Sequence, residues 1–272
     1  MAVGPRRRPD CGVDFATMMT LEEHGPDTFV GAGPGYPWGG LYGGQIVAQA
    51  LRAAAATVDP ALRVHALHAF FIRRGDPAEP IRFEIDRLRN GRSFVTRSVV
   101  ARQSTGAILN MAASFQVGEV GVDVQACDAP DVAGPEELDD TSWSSMFGRR
   151  YPLPRRDGRT VGWLRMHEPV GEDPVLQACA LAYTSDDLPT EAVLALHPDF
   201  SGDWDDEGWM SASLDHAIWF HRPVRAEEWL LQDFRCKELV NSRGLAEGRV
   251  FTRTGVHVAT VAQEVLLRPA RR

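Results

Sequence analysis

Cysteine is scarce in this chain: Cys11, Cys127, Cys179 and Cys236 are the only four, each far from the next. That spacing excludes a zinc knuckle, a redox pair and a disulfide framework, and it predicts the reduced thiols of a cytoplasmic protein. Long apolar runs are missing as well. The most apolar window, Leu41 to Val58, is interrupted by Gln45, Gln49 and Arg52, so it fails as a membrane span. Arg6, Arg7 and Arg8 stand near the start with no apolar stretch behind them, so the first ten residues lack the core of a secretory signal and read as a frayed tail. Basic charge is the minority, 29 Lys and Arg against 37 Asp and Glu, for a net charge of −8. The overall field therefore attracts neither nucleic acid nor an anionic membrane, and an anionic ligand must find a local basic site. A small-molecule ligand is the expectation.

Familiar catalytic strings are absent too. There is no Gly-x-Ser-x-Gly elbow, no His-Glu-x-x-His and no Ser-x-x-Lys, which argues against a covalent serine or zinc mechanism. His65 and His68 lie three apart on an extended run and His216 and His221 five apart, so neither pair faces one ion. Each of these rings is expected to pack within a strand with its nitrogens satisfied. Gly31-Ala32-Gly33-Pro34-Gly35 resembles a phosphate loop only superficially, because Pro34 lacks an amide donor and the next helix starts too late. Neither a metal nor a cofactor is expected.

What is present is an ordinary globular composition, 44% hydrophobic and 24% charged, and an internal repeat. His68-Ala69-Phe70-Phe71-Ile72-Arg73-Arg74-Gly75 lines up without a gap against His216-Ala217-Ile218-Trp219-Phe220-His221-Arg222-Pro223, 148 residues on. Thr105-Gly106 meets Thr254-Gly255 at 149, and each turn leads into an apolar run. A helix precedes each block. Gly44 to Val58 is rich in alanine with Ile46, Val47, Ala50, Leu51 and Ala54 at helical spacing. The second helix starts at Pro174, with Val175, Leu176, Cys179, Ala180 and Tyr183 on one face, and Pro189 closes it.

Extended runs with period two follow each helix: Arg63 to Arg73, Ile81 to Leu88, Phe94 to Gln103 and Ile108 to Val117, then Met210 to His221, Trp229 to Glu238, Leu245 to Thr252 and Val256 to Leu267. Asn90-Gly91, Thr105-Gly106 and Thr254-Gly255 supply turns between antiparallel neighbours. One helix against a meandering antiparallel sheet, twice over, is an α+β plan. Relative to Asp59 and His68, the interval from Asp186 to His216 holds an insertion of 21 residues that reads as an exposed loop. The expected organisation is a tail and lead-in segment over 1–27, a first unit over 28–117, an acidic linker over 118–159 and a second unit over 160–272. Arg149 to Arg159, with Pro152 and Pro154, is expected to be irregular.

A short helix wrapped by a strongly curved antiparallel sheet is the hot-dog arrangement, and the residues themselves resemble a family that has it. Leu41-Tyr42-Gly43-Gly44-Gln45-Ile46-Val47-Ala48-Gln49-Ala50-Leu51, Phe70-Phe71-Ile72-Arg73-Arg74-Gly75-Asp76 and Ala112-Ala113-Ser114-Phe115-Gln116 look like acyl-CoA thioesterase II. So do Asp215-His216-Ala217-Ile218-Trp219-Phe220-His221-Arg222-Pro223 and Ala262-Gln263-Glu264. The resemblance implies a tandem of two hot dogs, hydrolysis of fatty acyl-CoA to free acid and CoA, and association into homo-oligomers. It also implies three site residues: Asp186 at the end of Tyr183-Thr184-Ser185-Asp186, Ser213 two residues before the Asp-His pair, and Gln263 of the Gln-Glu pair. In that family the three hold a water that attacks the thioester carbonyl without an acyl-enzyme.

The residues themselves agree in part. Asp186 falls near a helix C-terminus, where the macrodipole disfavours a carboxylate and raises its pKa toward that of a useful base, although a solvated helix end gives the same pattern. Asp187 is its rival by register. Alternation puts Ser213 and Asp215 on one strand face. Gln263 lies in an apolar strand, where a buried amide needs partners, and its repeat counterpart is Ser114. The halves therefore differ at this position, which predicts one site per chain, mainly in the second half, with Asp59 as the inert counterpart of Asp186. Gly43 and Gly44 open the first helix and are candidates for backbone contact with the thioester oxygen. Arg73, Arg74, Arg222 and Arg243 are candidates for the CoA phosphates, and Trp209, Trp219 and Trp229 are expected in the core. Two other readings use the same fold: a non-catalytic acyl-CoA binding or sensing protein, and an enoyl-CoA hydratase, for which His216 beside Asp215 is the cue.

Overall fold

The structure, a computed structural model, describes residues 13–204 and 208–270. The arginine-rich start, Cys11 and the acids Asp205, Asp206 and Glu207 lie outside the described residues. In chain order the elements are α1 (Phe15–Met18), β1 (Glu22–Glu23), β2 (Thr28–Gly31), α2 (Gly43–Ala55), β3 (Leu62–Phe71), β4 (Ile81–Asn90), β5 (Phe94–Gln103), β6 (Gly106–Val117), β7 (Phe147–Arg150) and β8 (Arg159–Met166). They continue with α3 (Pro174–Thr184), α4 (Pro189–Leu194), β9 (Trp209–Ser213), β10 (Asp215–Phe220), β11 (Leu230–Val240), β12 (Arg243–Phe251) and β13 (His257–Pro269).

The strands form one antiparallel sheet in the order β1-β2-β4-β5-β6-β3-β10-β13-β12-β11-β8-β7, with β9 also paired to β13. The α+β plan is thus realised as two meanders that meet where β3 pairs with β10, Asp215 opposite Phe70 and Trp219 opposite Ala66. Helix α2 is buried over nearly its whole length, as its apolar and alanine-rich composition requires. Its small residues let α3 lie close against it. A Cβ on Gly44 would stand 2.3 Å from the Tyr183 carbonyl oxygen, so that contact admits only glycine. Helix α3 starts at Pro174 behind the N-cap Asp173, whose carboxylate accepts the Val175 amide at 2.9 Å.

Several expectations are corrected. Pro189 does not close a helix: α3 ends at Thr184, and Pro189 occupies the first turn of α4, a position proline favours. The inserted interval is therefore no simple exposed loop, since Ala192 and Val193 of α4 are buried against β11 and β12, and β9 also lies within it. Part of the stretch from Arg149 onward is ordered as β7, paired with β8. The run from Met210 to His221 is broken at Leu214. Ser213 lies opposite Val265 but Ala217 opposite Ala262, so β9 and β10 carry one extra residue against β13, a bulge that reverses the alternation. Ser213 and Asp215 consequently do not serve one face.

The repeat is also a residue longer than the ungapped match suggests. Buried positions recur at 149: Leu67 with His216, Ala69 with Ile218 and Ile81 with Leu230. His68, matched to His216 by sequence, is exposed. The tryptophans are less buried than expected. Trp219 is exposed beside His68, Trp209 lies edge-on to His197, and Trp229 is flanked by the guanidiniums of Arg150 and Arg165.

Candidate active site

Asp186 follows the C-cap of α3, and the antiparallel packing of the two helices brings it to the amino end of α2. Its Oδ2 accepts the Gly44 amide at 2.8 Å, and its Oδ1 accepts the Ser213 hydroxyl at 3.0 Å. Ser213 reaches it because the bulge at Leu214 turns the end of β9 inward. The Gln263 Nε2, on β13, donates to the Ser213 Oγ at 2.8 Å. Asp186, Ser213 and Gln263, picked out by resemblance from positions far apart in the chain, thus form one hydrogen-bonded array. The Gly44 amide, expected to face the thioester oxygen, is engaged by the carboxylate. Gly43 is tight for a different reason: a Cβ there would meet Asp186 Oδ2 at 2.7 Å and the Phe71 ring at 3.0 Å.

Burial pushes the Asp186 carboxyl up to about 6, against the hydrogen bonds from Ser213, the Gly44 amide and Gln263, which favour the carboxylate. The cause differs from the one anticipated. Although it follows a helix C-terminus, this carboxylate is also held by the amino end of the neighbouring helix, where the dipole favours it, and desolvation is what raises its pKa. Asp187, the rival, turns away: it accepts Trp143 Nε1 at 2.5 Å and pairs with Arg149 at 3.0 Å, both largely buried. Asp59 is exposed and accepts the Ala61 amide, and Ser114 bonds His65, so neither first-half counterpart meets a similar array.

His216 packs within its strand with both ring nitrogens satisfied, as expected, and its partners place it in the array. The ring is fully buried, with Nδ1 2.5 Å from Gln263 Oε1 and Nε2 2.9 Å from the hydroxyl of Ser185, the residue before Asp186. Burial holds it down at about 4, so it is neutral. Asp215 does not partner it but accepts the Glu264 amide at 2.6 Å, which removes the acid–base pair that the hydratase reading required. Around the amino end of α2, Tyr36, Trp38, Tyr42, Trp143 and Tyr183 form an aromatic cluster in which Tyr36 stacks on Trp38, and Trp143 and Tyr183 meet Tyr42 edge-to-face. Of the arginine candidates, Arg222 pairs with Asp123 and Arg243 with Glu264, while Arg73 and Arg74 bond the carbonyls of Ala107 and Trp38. Among the described residues no cluster of three or more His, Cys, Asp or Glu is placed to hold a metal ion, and no helix is long and apolar enough to cross a membrane.

Residues 33–116 match the family model of the acyl-CoA thioesterase N-terminal domain and residues 125–267 that of the acyl-CoA thioesterase C-terminal domain. The chain belongs to the acyl-CoA thioesterase family. It is 33% identical to human acyl-coenzyme A thioesterase 8, over 93% of this chain and 88% of that protein. It is 32% identical to Haemophilus influenzae acyl-CoA thioesterase 2, over 84% and 87%. Among solved structures, the acyl-CoA thioesterase II TesB2 of Mycobacterium marinum superposes with a TM-score of 0.82 at 36% identity, covering 94% of this chain and 97% of that one. A hot-dog protein from Alicyclobacillus acidocaldarius superposes at 0.80 with 19% identity, which shows the fold. As a member of that family the chain hydrolyses acyl-CoA thioesters.

Proposed function

We propose that this thioesterase splits fatty acyl-CoA into free acid and CoA with a water held by Asp186, Ser213 and Gln263. The observation that carries the reading is a buried carboxylate with a pKa of about 6, hydrogen-bonded through Ser213 to Gln263. Above that pKa Asp186 is an anion able to take a proton from water. The water oxygen bonds to the carbonyl carbon as its proton passes to Asp186, and the carbonyl electron pair moves onto oxygen. The tetrahedral intermediate then expels the CoA thiolate by breaking the C–S bond, and the proton on Asp186 passes to sulfur. Gly44 serves the carboxylate rather than the oxyanion, and Gly43 keeps the space beside it clear for the thioester.

The finer architecture belongs to the same proposal. Residues 28–117 and 160–272 act as two hot dogs joined through 118–159, supported by the mirrored strand order on either side of the β3–β10 pair. One site per chain follows from the absence of an equivalent array around Asp59 and Ser114. A cytoplasmic location is supported by the free thiols of Cys127, Cys179 and Cys236. Homo-oligomers are supported by Phe70 and Trp219, both exposed at the middle of the sheet, and sedimentation would read the subunit number. The deciding experiment traps free thiol released from acyl-CoA of short to long chains in the presence of a chelator. Turnover is expected. Binding without turnover would favour the sensing protein instead.

A further inference from the structure

We propose that His216 is a positioning residue: it fixes the orientation of the Gln263 amide and thereby the direction of each hydrogen bond that reaches Asp186 through Ser213. The inference rests on reading Asp186, Ser213 and Gln263 as the water-activating set. Of the eight histidines, His216 alone is fully buried, and the structurally equivalent position of the first half is Leu67. An imidazole where the other half carries an apolar side chain adds a desolvation cost unless its nitrogens are matched. They are matched on both sides, to Gln263 Oε1 and to Ser185 Oγ.

A buried neutral ring has one N–H, and the two tautomers are not equivalent here. With the proton on Nδ1, the ring donates to Gln263 Oε1 and accepts the Ser185 hydroxyl at Nε2. The amide nitrogen of Gln263 is then fixed toward Ser213, which accepts from it and gives its own single proton to Asp186 Oδ1. With the proton on Nε2, the bare Nδ1 would call for the Gln263 amide to turn over. Its carbonyl would then face Ser213 and compete with Asp186 for the one hydroxyl proton. Ser185 is satisfied either way, because its hydroxyl also lies 3.3 Å from the Ala182 carbonyl, which could take its proton, so the choice is made at the other end: only the first arrangement satisfies Gln263, Ser213 and the Asp186 carboxylate together. Because Ser185 precedes Asp186, the same ring also ties the end of α3 to β13, so base and amide are held by one side chain.

The tautomer itself is the first test. In protein labelled with ¹⁵N-histidine, the His216 ring nitrogens should report an Nδ1–H tautomer at neutral pH, and an Nε2–H or a charged ring would overturn the proposal. This readout needs no turnover, so it stands apart from any failure of the thioesterase reading. The second test separates kcat from KM. His216→Phe should lower kcat by roughly tenfold to a hundredfold, the usual effect of removing a partner that orients a site residue, with KM little changed. His216→Asn, whose amide N–H can stand in for Nδ1–H, should recover most of the loss. In a Gln263→Ala background, His216→Phe should cost almost nothing further. An additive loss, or an Asn variant as slow as the Phe variant, would sink it.

Discussion

Asp186 is held where its charge is disfavoured, and function and stability should therefore separate at this residue. Asp186→Asn should lower kcat by roughly two to four decades, and Ser213→Ala by less. The kcat/KM of the wild type should rise with pH through about 6, as the base form appears. The stability effect has the opposite sign. With a folded pKa of about 6 against 3.8 in the unfolded chain, the folded state binds more protons between those values, so stability falls as pH rises through that window and stays lower above it. The inactive Asn variant should thus be more stable than wild type at pH 7 to 8, by at most about 3 kcal/mol, and the gain should vanish below pH 4 in denaturant titrations. Asp187→Asn should do the reverse, costing on the order of 2 kcal/mol by leaving Arg149 short of a partner, with turnover of the folded fraction preserved. Asp186, Ser213 and Gln263 were legible in the sequence because each sits in a recognisable string. The roles of His216 and Ser185 were not, and the sequence offers the Gly44 amide to the thioester oxygen rather than to the carboxylate, because their convergence depends on a one-residue bulge at Leu214 and on how two helices cross.

At the scale of elements, the helix pair and the hairpins behave differently. Gly44→Ala places a methyl group 2.3 Å from a backbone carbonyl oxygen and 2.6 Å from the Tyr42 ring, neither of which can yield without moving α2 against α3. Both melting temperature and turnover should drop, because the displaced amide is the one that holds Asp186. The turn between β11 and β12 has slack in the other direction. Asn241 and Ser242 sit at φ of 50° and 61°, the pattern of a two-residue primed turn. Ser242→Gly should add about 0.5–1 kcal/mol and raise the melting temperature by a few degrees in calorimetry, leaving activity unchanged. Strands with a solvated face, such as β5, were readable from alternation alone. Strand β8 was not, since Thr160 to Leu164 are buried without a break and no period of two survives there, and α4 was hidden by a proline that reads equally well as a stop or a start.

Over the whole molecule, the hydrogen-bonded array at Asp186 draws on both halves although its three polar side chains come from one. Asp186 is bonded to Gly44 of the first half, α2 packs on α3, and β3 pairs with β10 along five residues of each. Cutting the chain at 140 would part β3 from β10 while each keeps its other neighbour, and would expose the apolar flank of each helix, leaving two open sheet edges. Residues 1–140 and 141–272 expressed separately should therefore aggregate or melt without cooperativity, and neither should hydrolyse acyl-CoA. Co-expressed, they should associate and recover measurable turnover, because β3 and β10 can pair again and the Gly44 amide can again reach Asp186. The stringent outcome concerns the second half. It contains Asp186, Ser213, Gln263 and His216, so if it alone folded cooperatively and turned over substrate, the Gly44 amide and the amino end of α2 would have no part in holding the base.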